Sequence, residues 1–216
     1  MNKTDLKLYA ITDRQWLHGA RLSEHVKLAI EGGATMIQIR DKDILSTDSD
    51  AGLKDEYNEA LEIKRICHEH KVPLIINDNV QFAIDIDADG VHLGQDDMNP
   101  AEARKLLGTD KIIGVTAKTV EQAKRAEADG ADYLGSGAVF GSTTKLNAKP
   151  MTKELLREIT AAVDIPVVAI GGINADNAVT LNGTGIAGIA VVGAIFASAD
   201  IKAAAKELAE ICDKIL

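Results

Sequence analysis

Leu74–Asp97 reads LIINDNVQFAIDIDADGVHLGQDD, and its organisation decides how the whole chain is read. Two short apolar runs flank a helix-like stretch, Val80–Ile86, and each run ends in polar and acidic residues. Leu74-Ile75-Ile76 stops at Asn77-Asp78; Val91-His92-Leu93 stops at Gly94-Gln95-Asp96-Asp97. A strand, a crossover helix and a second strand make neighbouring parallel strands, so Asp78 and Asp97 leave on the same side. Two carboxylates at one strand-end rim can hold a hard cation such as Mg²⁺ through oxygen ligands.

Outward from this unit the same alternation repeats. Strands are predicted at Leu6–Thr12, Thr35–Arg40, Val72–Ile76, Gly90–Leu93, Lys111–Val115, Ala131–Leu134, Ile165–Ile170 and Ile186–Val192. Helices are predicted at Ser23–Glu31, Leu53–His70, Val80–Ile86, from Pro100 to before Gly108, Val120–Asp129, Lys153–Ala162, Ala175–Leu181 and from Asp200 to Leu216. Pro100 suits a first helical turn, and Thr152 a cap. A long Gly/Ser/Thr loop is expected over Gly135–Pro150. Three helix-to-strand joins rhyme (EGGATMIQI, EADGADYLG, GTGIAGIAVV), as repeated units should. Eight such units with no composition break predict an α/β fold, a (β/α)₈ TIM barrel forming a single domain over 1–216. An open doubly wound sheet is the alternative, but this length leaves little room for its insertions.

The 216 residues, 46% of them hydrophobic, suit one barrel with a full core, a fold of about 200–250 residues. A net charge of -9 argues against nucleic acid or an anionic membrane as partner, so any anion must be held by a local cation cluster. Cys67 and Cys212 have no metal-type spacing and read as buried thiols. The N-terminus lacks a signal-peptide pattern, and no run of about 18 apolar residues occurs, which predicts a cytoplasmic protein without a membrane span. Whether copies form a homo-oligomer is left open.

Two motif matches are decoys. Gly183–Gly188 matches G-x-G-x-x-G but precedes a strand, whereas dinucleotide binding needs it after one. Asp85–Gly90 imitates the start of a calcium loop, yet its twelfth position is Asp96 and the loop would have to include the strand Val91–Leu93.

Barrel chemistry belongs at the C-terminal strand ends. On the second strand Gln38, Arg40 and Lys42 share a face, and Ile37 and Ile39 take the other. Arg40 reads as a salt-bridged core residue or, with Lys42 and Gln38, as an anion clamp. Asp78 and Asp97 could instead cap the helices at Val80 and Pro100. The fifth strand ends in the hydroxyl of Thr116. Gly141-Ser142-Thr143-Thr144-Lys145 is either a solvated loop or a phosphate contact. Gly171-Gly172 and Val192-Gly193 are tight turns or backbone N–H phosphate sites. His92 lines the interior or belongs to the core. Two anion sites, one of them metal-assisted, suggest displacement of pyrophosphate.

QIRDK, INDN, HLGQDD, GVTA, the STTK loop, IGGI and VVGAI together resemble, in order and spacing, the thiamine-phosphate synthase family over nearly the whole chain. The resemblance implies a (β/α)₈ barrel acting on two small phosphorylated substrates with Mg²⁺. These are 4-amino-2-methyl-5-hydroxymethylpyrimidine pyrophosphate and 4-methyl-5-hydroxyethylthiazole phosphate, with a carboxylated thiazole left open. It further implies that Gln38, Ile39, Arg40, Asp41, Lys42 and Asn77 line the pyrimidine-pyrophosphate site and that Asp78 and Asp97 bind Mg²⁺. Thr116 and Lys145 would hold pyrophosphate oxygens, with Arg40, Lys42 and Lys145 neutralising charge during catalysis. Ser142, Thr143, Thr144, Gly172, Val192 and Gly193 would hold the thiazole phosphate. Thr116 and Gly193 stand where many relatives carry Ser, and Asn79, often Asp or Arg in relatives, is not counted as a ligand. A thiazole tautomerase-like barrel would not need the cation and acid set. A non-catalytic phosphate-ligand sensor would not need Asp78, Asp97 and Lys145 together.

Overall fold

The computed structural model describes residues 1–40, 50–141 and 150–216, and of 50–54 the backbone alone. Eight parallel strands follow one another in chain order and close into a barrel. They are β1 (Leu8–Ile11), β2 (Met36–Ile39), β3 (Leu74–Asn77), β4 (Gly90–Leu93), β5 (Ile112–Thr116), β6 (Tyr133–Gly137), β7 (Val167–Ile170) and β8 (Gly188–Val191). Closure is made by β8 against β1, with Tyr9 opposite Ala190. The helices are α1 (Leu22–Glu31), α2 (Asp50–His70), α3 (Val80–Asp85), α4 (Pro100–Leu107), α5 (Val120–Ala128), α6 (Lys153–Ala161), α7 (Ala175–Ala178), α8 (Gly193–Phe196) and α9 (Ile201–Ile215). This is the expected α/β TIM barrel.

Alternation along each strand divides the apolar residues into two cores. Leu8, Ala10, Ile37, Ile39, Leu74 and Ile76 face outward and join the helices in one cluster. Tyr9, Ile11, Met36, Ile75, Ile112, Tyr133 and Val168 face inward and fill the barrel. The helices match the outer cluster by their spacing: α9 buries Ile201, Ala205, Leu208, Cys212 and Ile215 along one stripe. Caps set where helices begin. Thr152 accepts from Leu155 N at 3.1 Å to open α6, and Asp200 accepts from Ala203 N at 2.9 Å to open α9.

Apart from shifts of up to three residues at other element ends, the chain departs from the sequence reading in four places. Leu6 is not in the first strand; Lys3–Leu6 form a 3₁₀ turn that leaves Leu6 fully buried in the inner cluster. The sixth strand does not stop at Leu134 but runs on to Gly137, because β7 supplies partners for Gly135, Ser136 and Gly137. Ala175–Leu181 divides into α7 and a 3₁₀ turn, Val179–Leu181. After β8 comes the short α8, whose Ile195 and Phe196 are buried.

Both decoy motifs lie at strand beginnings, away from the C-terminal rim. Asp87 bridges Lys64 and Lys111 at 2.9 and 2.6 Å, and Asp89 accepts from Leu74 N at 2.8 Å. Those acids fasten the loop before β4 to its neighbours. Cys67 and Cys212 are buried free thiols, and burial pushes both up to about 12. No described helix is long and apolar enough to cross a membrane.

Gly188 marks the closing seam, where a Cβ would fall on the Leu6 backbone carbonyl. Forcing atoms into a packed backbone costs about 1–3 kcal/mol. Gly188→Ala should therefore lower the thermal unfolding midpoint; an unchanged midpoint would show slack in the seam.

Candidate active site

The C-terminal ends of the strands surround a cavity of about 420 Å³. One wall carries Gln38, Arg40, Asn77 and Thr116, and the facing wall carries Gly172, Val192 and Gly193. Tyr9 and His92 line it deeper in the barrel. Residues from the two predicted anion sites therefore share one space.

Strand alternation places the β2 residues. Gln38 is turned inward and only 2% exposed, whereas Ile39 packs outward among the helices and does not line the cavity. Arg40 N donates to Thr12 Oγ1 at 3.1 Å, which fixes the strand end from which the guanidinium projects. Asp41, Lys42, Ser142, Thr143, Thr144 and Lys145 lie outside the described residues.

Neither aspartate of the opening stretch caps a helix. Asn79 caps α3 by accepting from Phe82 N at 3.0 Å, and Asn99 caps α4 by accepting from Ala101 N at 2.9 Å. Asp78 is held in a left-handed conformation, φ +60°, by its own N–H donating to His92 O at 2.9 Å. Asn77 Nδ2 donates to its Oδ2 at 2.6 Å. Non-glycine residues in this conformation are uncommon and concentrate where surrounding structure enforces them, functional sites included. Asp97 Oδ2 accepts from Gly94 N at 2.6 Å, and the same loop is tied to β5 by Gln95 Nε2 donating to Thr116 O at 2.5 Å. The result is two exposed carboxylates at adjacent strand ends, on the rim rather than in the cavity wall. Among the described residues, no group of three or more His, Cys, Asp or Glu could hold a metal ion by itself. A pair of carboxylates fits Mg²⁺, which commonly takes one or two protein carboxylates and completes its shell with substrate phosphates and water.

The opposite wall is built from backbone. Gly171 and Gly172 have φ of +103° and +63°, and a Cβ on Gly172 would come within 2.6 Å of Phe140 O. Asn177 Nδ2 donates to Gly172 O at 2.9 Å and holds the turn. Gly193 differs, since a Cβ there would meet nothing nearer than 3.9 Å.

Sequence reasoning passed over Tyr9 and Tyr133. Each is a lone aromatic in an apolar strand and reads as core. Their hydroxyls nevertheless meet at 2.9 Å inside the barrel, and Tyr133 also touches His92 Nδ1 at 3.0 Å. His92 itself lines the cavity.

The family model for thiamine monophosphate synthase matches residues 8–195. The chain belongs to the thiamine monophosphate synthase family. It is 48% identical over 210 residues to the thiamine-phosphate synthase of Ruminiclostridium cellulolyticum, covering 97% of each chain. It is 48% identical over 206 residues to that of Clostridium novyi, covering 95% of this chain and 98% of the other. The solved structure of thiamine phosphate pyrophosphorylase from Pyrococcus furiosus superposes with a TM-score of 0.87 at 39% identity, covering 99% of this chain and 98% of that one. The chain is accordingly an enzyme with the family's transferase activity, thiamine-phosphate synthesis.

Within this family barrel the two glycine positions should respond differently. Gly172→Ala meets both a positive φ and the Phe140 carbonyl, and should raise KM for a phosphorylated substrate by on the order of tenfold or more. Gly193→Ser should keep the wild-type melting midpoint and KM. Steady-state kinetics on both variants checks the contrast.

Proposed function

We propose that the cavity joins 4-amino-2-methyl-5-hydroxymethylpyrimidine pyrophosphate to 4-methyl-5-hydroxyethylthiazole phosphate, giving thiamine phosphate and pyrophosphate. The observation that carries this reading is the shared cavity. A wall with a guanidinium, an amide and a hydroxyl beside two rim carboxylates suits a pyrophosphate with Mg²⁺; a facing wall of glycine backbone suits a phosphate monoester.

The reaction proposed is dissociative. The C–O bond to pyrophosphate breaks, its electron pair leaves with the pyrophosphate oxygen, and a pyrimidinylmethyl cation remains. The thiazole nitrogen then donates its lone pair to the methylene carbon. No strong general base is needed. Arg40 would bind the leaving oxygens where charge grows, and Thr116 and Asn77 would orient the group. Asp78 and Asp97 would hold Mg²⁺, which supplies neutralisation of the pyrophosphate when bound. The roles of Asp41, Lys42, Ser142, Thr143, Thr144 and Lys145 rest on the sequence resemblance alone. Buried free thiols and a biosynthetic activity support a cytoplasmic setting.

Incubation with both substrates and Mg²⁺ should yield thiamine phosphate and pyrophosphate, and EDTA should stop the reaction. Asp78→Asn keeps a residue that tolerates φ of +60° but removes the charge, and should raise the Mg²⁺ concentration for half-activation by about tenfold or more. An unchanged metal titration would argue against ligation. Arg40→Ala should lower kcat by about 10²-fold, the usual scale for losing one transition-state charge contact.

A further inference from the structure

A file of hydrogen bonds crosses the barrel interior from Gln38 to Thr116. Gln38 Nε2 donates to Tyr9 OH at 2.5 Å, and Tyr9 OH lies 2.9 Å from Tyr133 OH. Tyr133 OH lies 3.0 Å from His92 Nδ1, and His92 Nε2 lies 3.1 Å from Thr116 Oγ1. Packing fixes its members. A Cβ on Gly114 would fall on the Tyr133 ring, and one on Gly135 would come within 3.0 Å of His92 Cε1, so Tyr133 occupies space left by a glycine of the neighbouring strand and His92 space left by a glycine two strands away.

The hydrogens in this file can be counted. Tyr9 and Tyr133 are 1% and 0% exposed, and burial pushes both phenols far above their ordinary range, so each brings one hydrogen. Tyr9 already accepts from Gln38. If Tyr133 donated to Tyr9 as well, the Tyr9 hydrogen would have no acceptor among the described residues, on a residue only 1% exposed beneath the cavity, and a buried donor without an acceptor is costly. The remaining arrangement runs one way: Gln38 to Tyr9, Tyr9 to Tyr133, Tyr133 to His92 Nδ1. A neutral His92 then carries its hydrogen on Nε2 and donates to Thr116. The hydrogen left over belongs to Thr116, which is half-buried and lines the cavity, where a ligand can accept it.

We propose that Tyr9, Tyr133 and His92 are positioning residues that hold the Thr116 hydroxyl as a hydrogen-bond donor to the leaving pyrophosphate. The ligand rests on the function proposed above; the direction of the file does not. The same file joins β2, where Gln38 lines the pyrimidine side, to β5, so both ends serve one substrate. A merely structural role for the two tyrosines would leave the direction of the hydrogens without consequence.

Nitrogen-15 NMR of the histidines in the full-length protein, with His92 assigned by its loss in His92→Gln, reads the direction. A hydrogen on Nε2 is expected; a hydrogen on Nδ1 would make Thr116 a donor to His92 and overturn the proposal. A double-mutant cycle reads the consequence. Thr116→Val should lower kcat about tenfold or more in the wild type and at most about twofold in Tyr133→Phe, which keeps the ring but breaks the file. Additive losses would overturn the positioning role. Nε2–H with no thiamine phosphate formed by the wild type would overturn the function reading and leave the direction standing.

Discussion

Eight short strands enclose too little space for a large side chain at every inward position, and the rest of the structure depends on how that shortage is met. Tyr133 and His92 lie where Gly114 and Gly135 leave room, and Gly188 admits the Leu6 backbone at the closing seam. Strand alternation makes these inward positions obligatory, so neither the rings nor the glycines can be moved independently. Because the rings are polar at one end, filling the barrel also installs a hydrogen-bonded file under the cavity. Packing and chemistry are thus the same set of residues seen from below and from above.

The rim obeys a second economy. A helix that follows a strand needs a cap, and a cap uses up a polar side chain. Asn79 and Asn99 take that work in α3 and α4, which leaves the carboxylates of Asp78 and Asp97 facing solvent at neighbouring strand ends. The left-handed turn at Asp78 follows from the same arrangement: its N–H continues the ladder to β4 while Asn79 already begins the helix. Local folding signals and site residues are interleaved one position apart.

Much of this was legible in the sequence for identifiable reasons. Gly90–Leu93 was read to the residue because glycines bound a run of three β-compatible residues. The caps could have been resolved as well, since Asn79 and Asn99 sit immediately before Val80 and Pro100, the place a cap occupies. The end of β6 was not legible: Gly135-Ser136-Gly137 has little strand preference of its own and takes its conformation from β7. The tyrosine file was not legible either, because its members come from strands separated by 41 and 124 residues and meet only on closure. Of the predicted site, the structure gathers Gln38, Arg40, Asn77, Thr116, Gly172, Val192 and Gly193 around one cavity and leaves Asp78 and Asp97 on its rim.

Charge then orders the proposed chemistry. Among the described residues lining the cavity, Arg40 alone carries a permanent charge, while the chain as a whole has a net charge of -9. Two rim carboxylates beside a pyrophosphate would repel it if nothing stood between them, since like charges at close range raise one another's energy. A divalent cation reverses the sign of that contribution, turning the acid pair from an obstacle into part of the binding site. In the proposed mechanism the same pair would hold the cation only weakly once pyrophosphate departs, because Mg²⁺ prefers to complete its shell with phosphate oxygens and water. An acidic rim, with Arg40 the one permanent charge among the described lining residues, would in that mechanism favour metal and pyrophosphate arriving and leaving together.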